Sequence, residues 1–275
     1  VRIRQMTSDD LAVVMRWAAG EGWNPGTRDG EFLAIPDPAG LLVAEKAGDL
    51  VGSIGMLRFG ARFAFAGLYI VRPDHRGGTT GARLALAALE HAGDRIIGTD
   101  GVLERIADYE ALGFRGAHLH HRHSGAPTPA TDPRVRPLAH GDVDVVVGLD
   151  DDCFPGDRRG FMRAWLDGDH LVRCWAPDGG QVTGFGVARR AVAGWRIGPL
   201  VAPHAGAADA IVRDLAAALP GEELHLDVIT GNPEAVAVAT ALGMTPGFAC
   251  VRMYRNGTPQ LPLARMWGAC TLEAG

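Results

Sequence analysis

A glycine- and threonine-rich turn, Arg76-Gly77-Gly78-Thr79-Thr80-Gly81-Ala82, lies between the strand-like run Leu68-Tyr69-Ile70-Val71 and an alanine- and leucine-rich stretch, Arg83 to Ala92. A helix entered through glycines presents several backbone N–H groups without intrahelical partners, and its dipole favours negative charge at that end. The chemistry of such a turn is anion binding, with a pyrophosphate as the natural guest. A phenol follows at Tyr109, and carboxylates stand at Glu21 and Asp100. A phenol of pKa about 10 is a weak acid, able to give its proton to a base of similar pKa. A carboxylate can take a proton from an ammonium or anchor it, and Glu21 and Asp100 both qualify; a solvated loop carboxylate is the competing reading of each. His118, His120, His121 and His123 resemble a metal cluster in one dimension. On a strand the first two face one way and the last two the other, so four ligands do not converge, and a solvated strand end is expected with no metal.

The elements that must position these groups are legible around them. Val1 to Arg4 reads as a strand, and Met6-Thr7-Ser8-Asp9-Asp10 caps a helix carrying Leu11, Val14, Met15 and Ala18 at helical spacing. Glu21-Gly22-Trp23-Asn24-Pro25-Gly26 breaks that helix into a loop. Leu41–Glu45 and Leu50–Leu57 read as a hairpin, Phe63–Val71 as a further strand, and Ile96–Thr99 as a short buried one with Asp100 at its C-terminal end, where ligands of open α/β sheets gather. Leu103–Leu112 reads as a helix closed by Gly113, and Phe114 leads a last strand toward His121. The order is β, α, β, β, β, α, β, α, β.

Ser124 to Pro133 contains three prolines and little to bury, and reads as a linker. After it the chain begins again. Arg134-Val135-Arg136 echoes Arg2-Ile3-Arg4. At an offset of 130 residues Phe154-Pro155-Gly156 echoes Asn24-Pro25-Gly26, and Ala241-Leu242-Gly243-Met244 echoes Ala111-Leu112-Gly113-Phe114. Three echoes in the same order argue for a duplicated domain. The expected division is 1–123, a linker 124–133, and 134–275.

Composition narrows the class. The chain has 275 residues, 47% hydrophobic and 21% charged, and a formal net charge of −5, so each half can bury a core and no basic footprint for nucleic acid is present. No apolar run reaches the ~18 residues that span a bilayer, and a cytoplasmic protein is expected. Cys153, Cys174, Cys250 and Cys270 form no C-x-x-C pair, which points to reduced, buried thiols.

The strand, proline and turn Tyr69 to Ala82, with Tyr109-Glu110-Ala111-Leu112-Gly113-Phe114 beyond, resemble the acetyl-CoA motif of the GNAT N-acetyltransferases, a strand, then [Q/R]-x-x-G-x-[G/A], then Y-x-x-x-G-F. With Glu-Gly-Trp-Asn-Pro-Gly near the start, the whole chain is similar to a tandem GNAT family of bacteria. The resemblance implies an α/β fold (α+β mixed sheet) repeated twice, and direct transfer of acetyl from acetyl-CoA to a small primary amine in a ternary complex. It implies that Tyr69, Ile70 and Val71 hold the pantetheine arm and polarise the thioester carbonyl through a backbone N–H, that Arg76, Gly77, Gly78, Thr79, Thr80, Gly81 and Ala82 bind the pyrophosphate, and that Tyr109 protonates the departing thiolate. Packing against Phe114 is the competing reading of Tyr109. Trp23 and Asn24 are the candidate acceptor-binding residues, with a packing role the alternative for Trp23. Thr79 departs from the motif's glycine: either its φ is negative and threonine is tolerated, or the pyrophosphate sits displaced. A non-catalytic acyl-CoA-binding module, or a transferase using another acyl donor, are the other functions in view; monomer and homodimer are both open.

The second half repeats the pattern without the chemistry. Trp195 to Pro203 is followed by His204-Ala205-Gly206-Ala207-Ala208-Asp209, with no arginine and no repeated glycines, and Ala239 stands where Tyr109 would be, although Asn232 and Ala235 keep the spacing of the helix start. A degenerate domain that scaffolds or shapes the acceptor site is expected. Cys153 to Arg159 and Asp227 either face that site or cap secondary structure, the second being preferred.

Overall fold

A computed structural model describes residues 1–275, the side chain of Asp178 aside. The first half comprises β1 (Arg2–Gln5), α1 (Ser8–Gly20), α2 (Asp29–Leu33), β2 (Leu41–Lys46), β3 (Asp49–Phe59), β4 (Phe63–Val71), α3 (Thr80–Ala92), β5 (Ile96–Val102), α4 (Ile106–Ala111) and β6 (Arg115–Gly125). The second repeats this with β7 (Val135–Pro137), α5 (Val143–Asp151), α6 (Arg159–Asp167), β8 (Leu171–Trp175), β9 (Gly184–Arg190), β10 (Trp195–Val201), α7 (Ala205–Ala218), β11 (Leu224–Ile229), α8 (Pro233–Ala241) and β12 (Thr245–Arg255), then adds β13 (Met266–Gly268). The fold is a mixed α/β sheet, as expected, and carries helices on both faces. The expected element order holds, with α2 added.

Local sequence explains the elements nearest the site. Thr7 caps α1 in a reciprocal box, its hydroxyl accepting from Asp10 N–H at 3.2 Å while the Asp10 carboxylate accepts from Thr7 N–H at 2.8 Å. Leu84, Ala85, Ala88 and Ala92 of α3 are buried against the sheet. Ala has no side-chain entropy to lose and lets the helix lie close to the strands.

All thirteen strands form one sheet in the order β1-β2-β3-β4-β5-β12-β6-β11-β13-β10-β9-β8-β7. The halves exchange their last strands: β12 pairs with β5, as Arg252 with Asp100, and β6 pairs with β11, as Arg122 with Asp227. Strand pairing therefore crosses the linear division expected at 124–133. It also corrects the expectation of a solvated strand end at the histidines. β6 is an interior strand, and His120 and His123 are each 2% exposed. The alternation itself holds, with the His118 and His120 rings 5.2 Å apart and the His121 and His123 rings 5.2 Å apart.

Two gaps in the sheet have different fates. β4 and β5 are parallel and paired only from Phe63 with Ile96 to Ala66 with Thr99, and beyond that point they part. A bulge at this place sets two residues of β4 against one of β3, with the pairing stepping from Gly67 opposite Gly55 to Ile70 opposite Ser53. Leu68, in the bulge, has φ +51° and gives its carbonyl to the Ser53 hydroxyl at 2.7 Å. β10 and β11 likewise pair over Trp195–Ile197 and Leu224–Leu226 and then part. There β13 fills the opening, with Gly268 opposite both Leu200 of β10 and Val228 of β11.

Arginine–carboxylate pairs seam the halves together. Arg122 and Arg196 share Asp227 at 2.8 and 2.6 Å, Arg189 binds Asp29 at 2.8 Å, and Arg252 binds Asp100 at 2.8 Å, all of them buried. Losing one partner of such a pair strands a charge away from water, so these contacts fix register more than they add net stability. Asp227 thus neither caps an element nor faces an acceptor. Phe154 corrects the same expectation for its segment: its ring packs edge-on against Phe59 and Phe63 at 4.9 and 5.3 Å, inside the core of the first half.

Candidate active site

The unfilled opening between β4 and β5 is the mouth of a cavity of about 520 Å³. Its walls carry Glu21, Trp23, Tyr69, Ile70, Val71, Arg76, Gly77, Gly78, Gly81, Ala82, Asp100 and Tyr109 among the residues singled out from sequence. Thr79, Thr80 and Asn24 are absent from the lining.

On one face of the sheet the cavity meets the start of α3. Arg72 N–H bonds to Val51 of β3 at 3.1 Å, so alternation along the strand turns the N–H of Val71 the other way, toward the opening. The carbonyl of Val71 accepts from Arg76 Nε at 2.8 Å. Gly77 has φ +78°, a value that needs glycine. A β-carbon at Gly81 would lie 2.8 Å from the Tyr69 hydroxyl, so a larger residue there must displace that ring. Thr79 has φ −85° and ψ −4°, the right-handed region open to any residue. This favours the first of the two accounts of the missing glycine. Thr79 is exposed, and Thr80 turns inward at 6% exposure.

The Tyr109 ring packs against Gly101, where a β-carbon would be 2.9 Å from Cε2, and meets Phe114 edge-on at 6.0 Å. Burial, reinforced by Tyr69 and Cys250, pushes its phenol up to about 12, so it is a protonated group throughout the neutral range.

The opposite face holds a different set. Asp100 pairs across the sheet with Arg252, and Cys250 with His120, which places all four on the face opposite Tyr109. Asp100 is the expected base that the structure disfavours. Arg252 grips both its oxygens at 2.8 and 2.9 Å, and with His120 it holds the carboxyl far below the usual range despite burial. A carboxylate so held is a poor proton acceptor. Asp100, His120 and Cys250 bring one ligating atom each within 4.8 Å of one another, but Asp100 is committed to Arg252 and no fourth ligand joins them among the described residues.

Glu21 stands at the rim, where Arg76 Nη2 is bonded to its carboxylate. Trp23 is half-buried on the same side, and Arg122 Nη1 holds its carbonyl at 2.7 Å. Asn24 corrects its expected role. Its side chain donates to the Ala193 carbonyl at 2.9 Å and accepts from Ala193 N–H at 2.8 Å, tying the loop to the turn between β9 and β10. Sequence reasoning missed Phe248, Cys250 and Leu272, which also line the cavity. All three come from the second half of the chain, and nothing local in the sequence marks them.

In the second half the corresponding opening is filled. Trp267 of β13 is 1% exposed and donates from Nε1 to Ala202 O at 2.9 Å. Ala239, in the place of Tyr109, is fully buried core.

Residues 9–114 match the Acetyltransferase (GNAT) family and residues 146–266 the Acetyltransferase (GNAT) domain. The chain is 26% identical over 275 residues to the holothin acyltransferase of Pseudoalteromonas sp. (strain SANK 73390), covering 97% of this chain and 92% of that one. Among solved structures, a candidate acetyltransferase from Pyrococcus horikoshii superimposes with TM-score 0.84 at 21% identity, covering 100% of this chain and 95% of its own. A tandem GNAT protein from the clavulanic acid biosynthesis pathway does so with TM-score 0.66 at 17% identity, covering 94% and 99%. No helix among the described residues is long and apolar enough to cross a membrane. With a strand opening onto a glycine turn in the first half and the same architecture closed in the second, the chain is a member of the GNAT acyltransferase family, built from two such domains in tandem.

Proposed function

We propose that this acyltransferase moves an acetyl group from acetyl-CoA to the primary amine of a small molecule, by direct attack within a ternary complex, using the first half alone for chemistry. The observation that carries the reading is the parting of β4 and β5 after Ala66 and Thr99, which leaves the strand edge beside Val71 unpaired and leads to the start of α3. The residues present suit the cofactor: free N–H groups and Arg76 for a pyrophosphate, and an open strand edge for an amide-bearing arm. Bound there, acetyl-CoA supplies an activated acetyl thioester.

The chain's own groups do the rest. The backbone N–H at the bulge offers a donor to a carbonyl oxygen as charge builds on it. For the base we take Glu21: its one ion pair is to the exposed Arg76, whose guanidinium a pyrophosphate would draw away, whereas both oxygens of the buried Asp100 carboxylate are held by Arg252. Tyr109 holds a proton on the cofactor side for the departing thiolate. Its raised pKa does not spoil the match, because the same apolar surroundings raise a thiolate's as well.

The test is acetyl-CoA consumption over a panel of primary amines, with product masses, for the wild type and Tyr109→Phe. Transfer by the wild type and a large loss in the variant support the reading; cofactor binding without turnover on any amine defeats it.

A further inference from the structure

The segment that fills the opening in the second half continues into the first. From β13 it passes through a tight turn in which Gly275 N–H bonds to Thr271 O at 2.9 Å and the Thr271 hydroxyl bonds to the Glu273 carboxylate. Thr271 is fully buried and Glu273 is 2% exposed. Between them Leu272 enters the cavity wall. The turn lies backbone to backbone on the bulge of β4, since a β-carbon at Gly67 would overlap the carbonyl of Glu273. Leu272 therefore projects from an anchored stretch of backbone.

Its neighbours define what it faces. The face of the sheet away from Tyr109 presents Trp23 from the loop after α1, Phe248 and Cys250 from β12, and Leu272, all lining the one cavity. Arg196 ties two of these walls together: its guanidinium reaches the Asn24 carbonyl at 3.3 Å, Asp227 at 2.6 Å and Glu273 at 3.7 Å. Of the carboxylates on this side, Glu21 and Asp100 line the cavity, and each is bonded to an arginine. Such a chamber has two aromatic walls, an aliphatic one and little surplus negative charge. It suits one ammonium on a flat apolar body and offers nothing to a second cation.

We propose that Leu272 sets acceptor specificity, and that the acceptor is a monoamine carried on a flat apolar body seated between Trp23, Phe248 and Leu272. This rests on the acetyl-transfer reading above. The strap that closes the idle site thereby shapes the working one.

The experiment compares tryptamine, n-butylamine and putrescine as acceptors for the wild type, Leu272→Trp and Leu272→Ala. CoA affinity is measured by calorimetry, as is tryptamine affinity for the CoA complex. The wild type is expected to favour tryptamine over putrescine at least tenfold in kcat/KM. Leu272→Trp is expected to lower kcat/KM and affinity for tryptamine at least tenfold while changing n-butylamine less than threefold, with CoA affinity unchanged. Leu272→Ala keeps the proposal testable if the larger residue does not fold; it is expected to erode the preference for tryptamine over n-butylamine. A preference for putrescine, equal losses on all amines, or a change confined to CoA affinity overturns this inference alone. Acetylation of none of the three amines by CoA-binding wild type also overturns this inference, and failure across the whole amine panel overturns the acetyl-transfer reading with it.

Discussion

Gly67 and Glu273 touch through their backbones, which leaves no room for a side chain on the bulge of β4 at that point. The contact joins the strand that walls the cavity to a segment more than two hundred residues later in the chain. Gly67→Ala must push the turn at 271–275 outward. The expected cost is about 1 to 3 kcal/mol, as for other forced enlargements in packed interiors, read as a lower midpoint in denaturant at unchanged m. A midpoint equal to the wild type's shows that the turn yields freely.

Because β13 closes the second opening, calorimetry is expected to find one CoA site per chain. Gly81→Val, which drives a side chain at the Tyr69 hydroxyl 2.8 Å from where Cβ would sit, is expected to weaken that site at least tenfold. Two equivalent sites, or an unchanged affinity in the variant, contradict the assignment of cradle and plug.

Tyr109→Phe keeps the ring against Gly101 and removes only the hydroxyl. A general acid contributes roughly 100- to 10,000-fold, so kcat is expected to fall within that range while CoA affinity changes less than threefold. A fall in affinity without a fall in kcat returns Tyr109 to a packing role beside Phe114.

Acid sensitivity has a definite sign. Burial lowers the His170 imidazole to about 4 from an ordinary value near 6.5, its ring packed on Trp165 at 4.8 Å and Phe32 at 5.3 Å. His118 is lowered to about 3, again chiefly by burial. The unfolded chain binds more protons than the folded one at these positions below about pH 6.5, so stability present above that pH declines as pH falls toward 4 and then 3. Melting temperature is expected to drop between pH 7 and pH 5, and His170→Phe is expected to flatten the drop. An unchanged slope in the variant places the acid sensitivity elsewhere.

The side of the cavity proposed for the cofactor was legible because its determinants are local. Gly77, Gly81 and the run into α3 lie within a few residues, and turn chemistry acts over that range. Thr79 broke the pattern in letters only, since a φ of −85° makes no demand for glycine. The acceptor side was not legible. Phe248 and Leu272 reach it through strand exchange and a strap, and their spacing from Glu21 or Trp23 carries no periodicity to read. Asp100 was expected at a strand end beside the cavity; it does line the cavity, but from within β5, which runs on to Val102. Its partner Arg252 stands 152 positions away, and only the sheet order shows that the carboxylate is spoken for. Asn24 failed for a similar reason, its partner being the backbone of Ala193.

The exchanged strands also set a timetable for the molecule. While the chain is being made, the first half can form its hairpins and α3, but its sheet stays open beside β5 until residues 245–255 arrive to lie there. Contacts so distant in sequence are slow to form, and an open strand edge invites mispairing in the interval. The wall of the cavity that Phe248, Cys250 and Leu272 complete therefore forms last, after nearly the whole polypeptide has been synthesised, and cutting the gene between its two repeats would yield two halves that each lack a central strand.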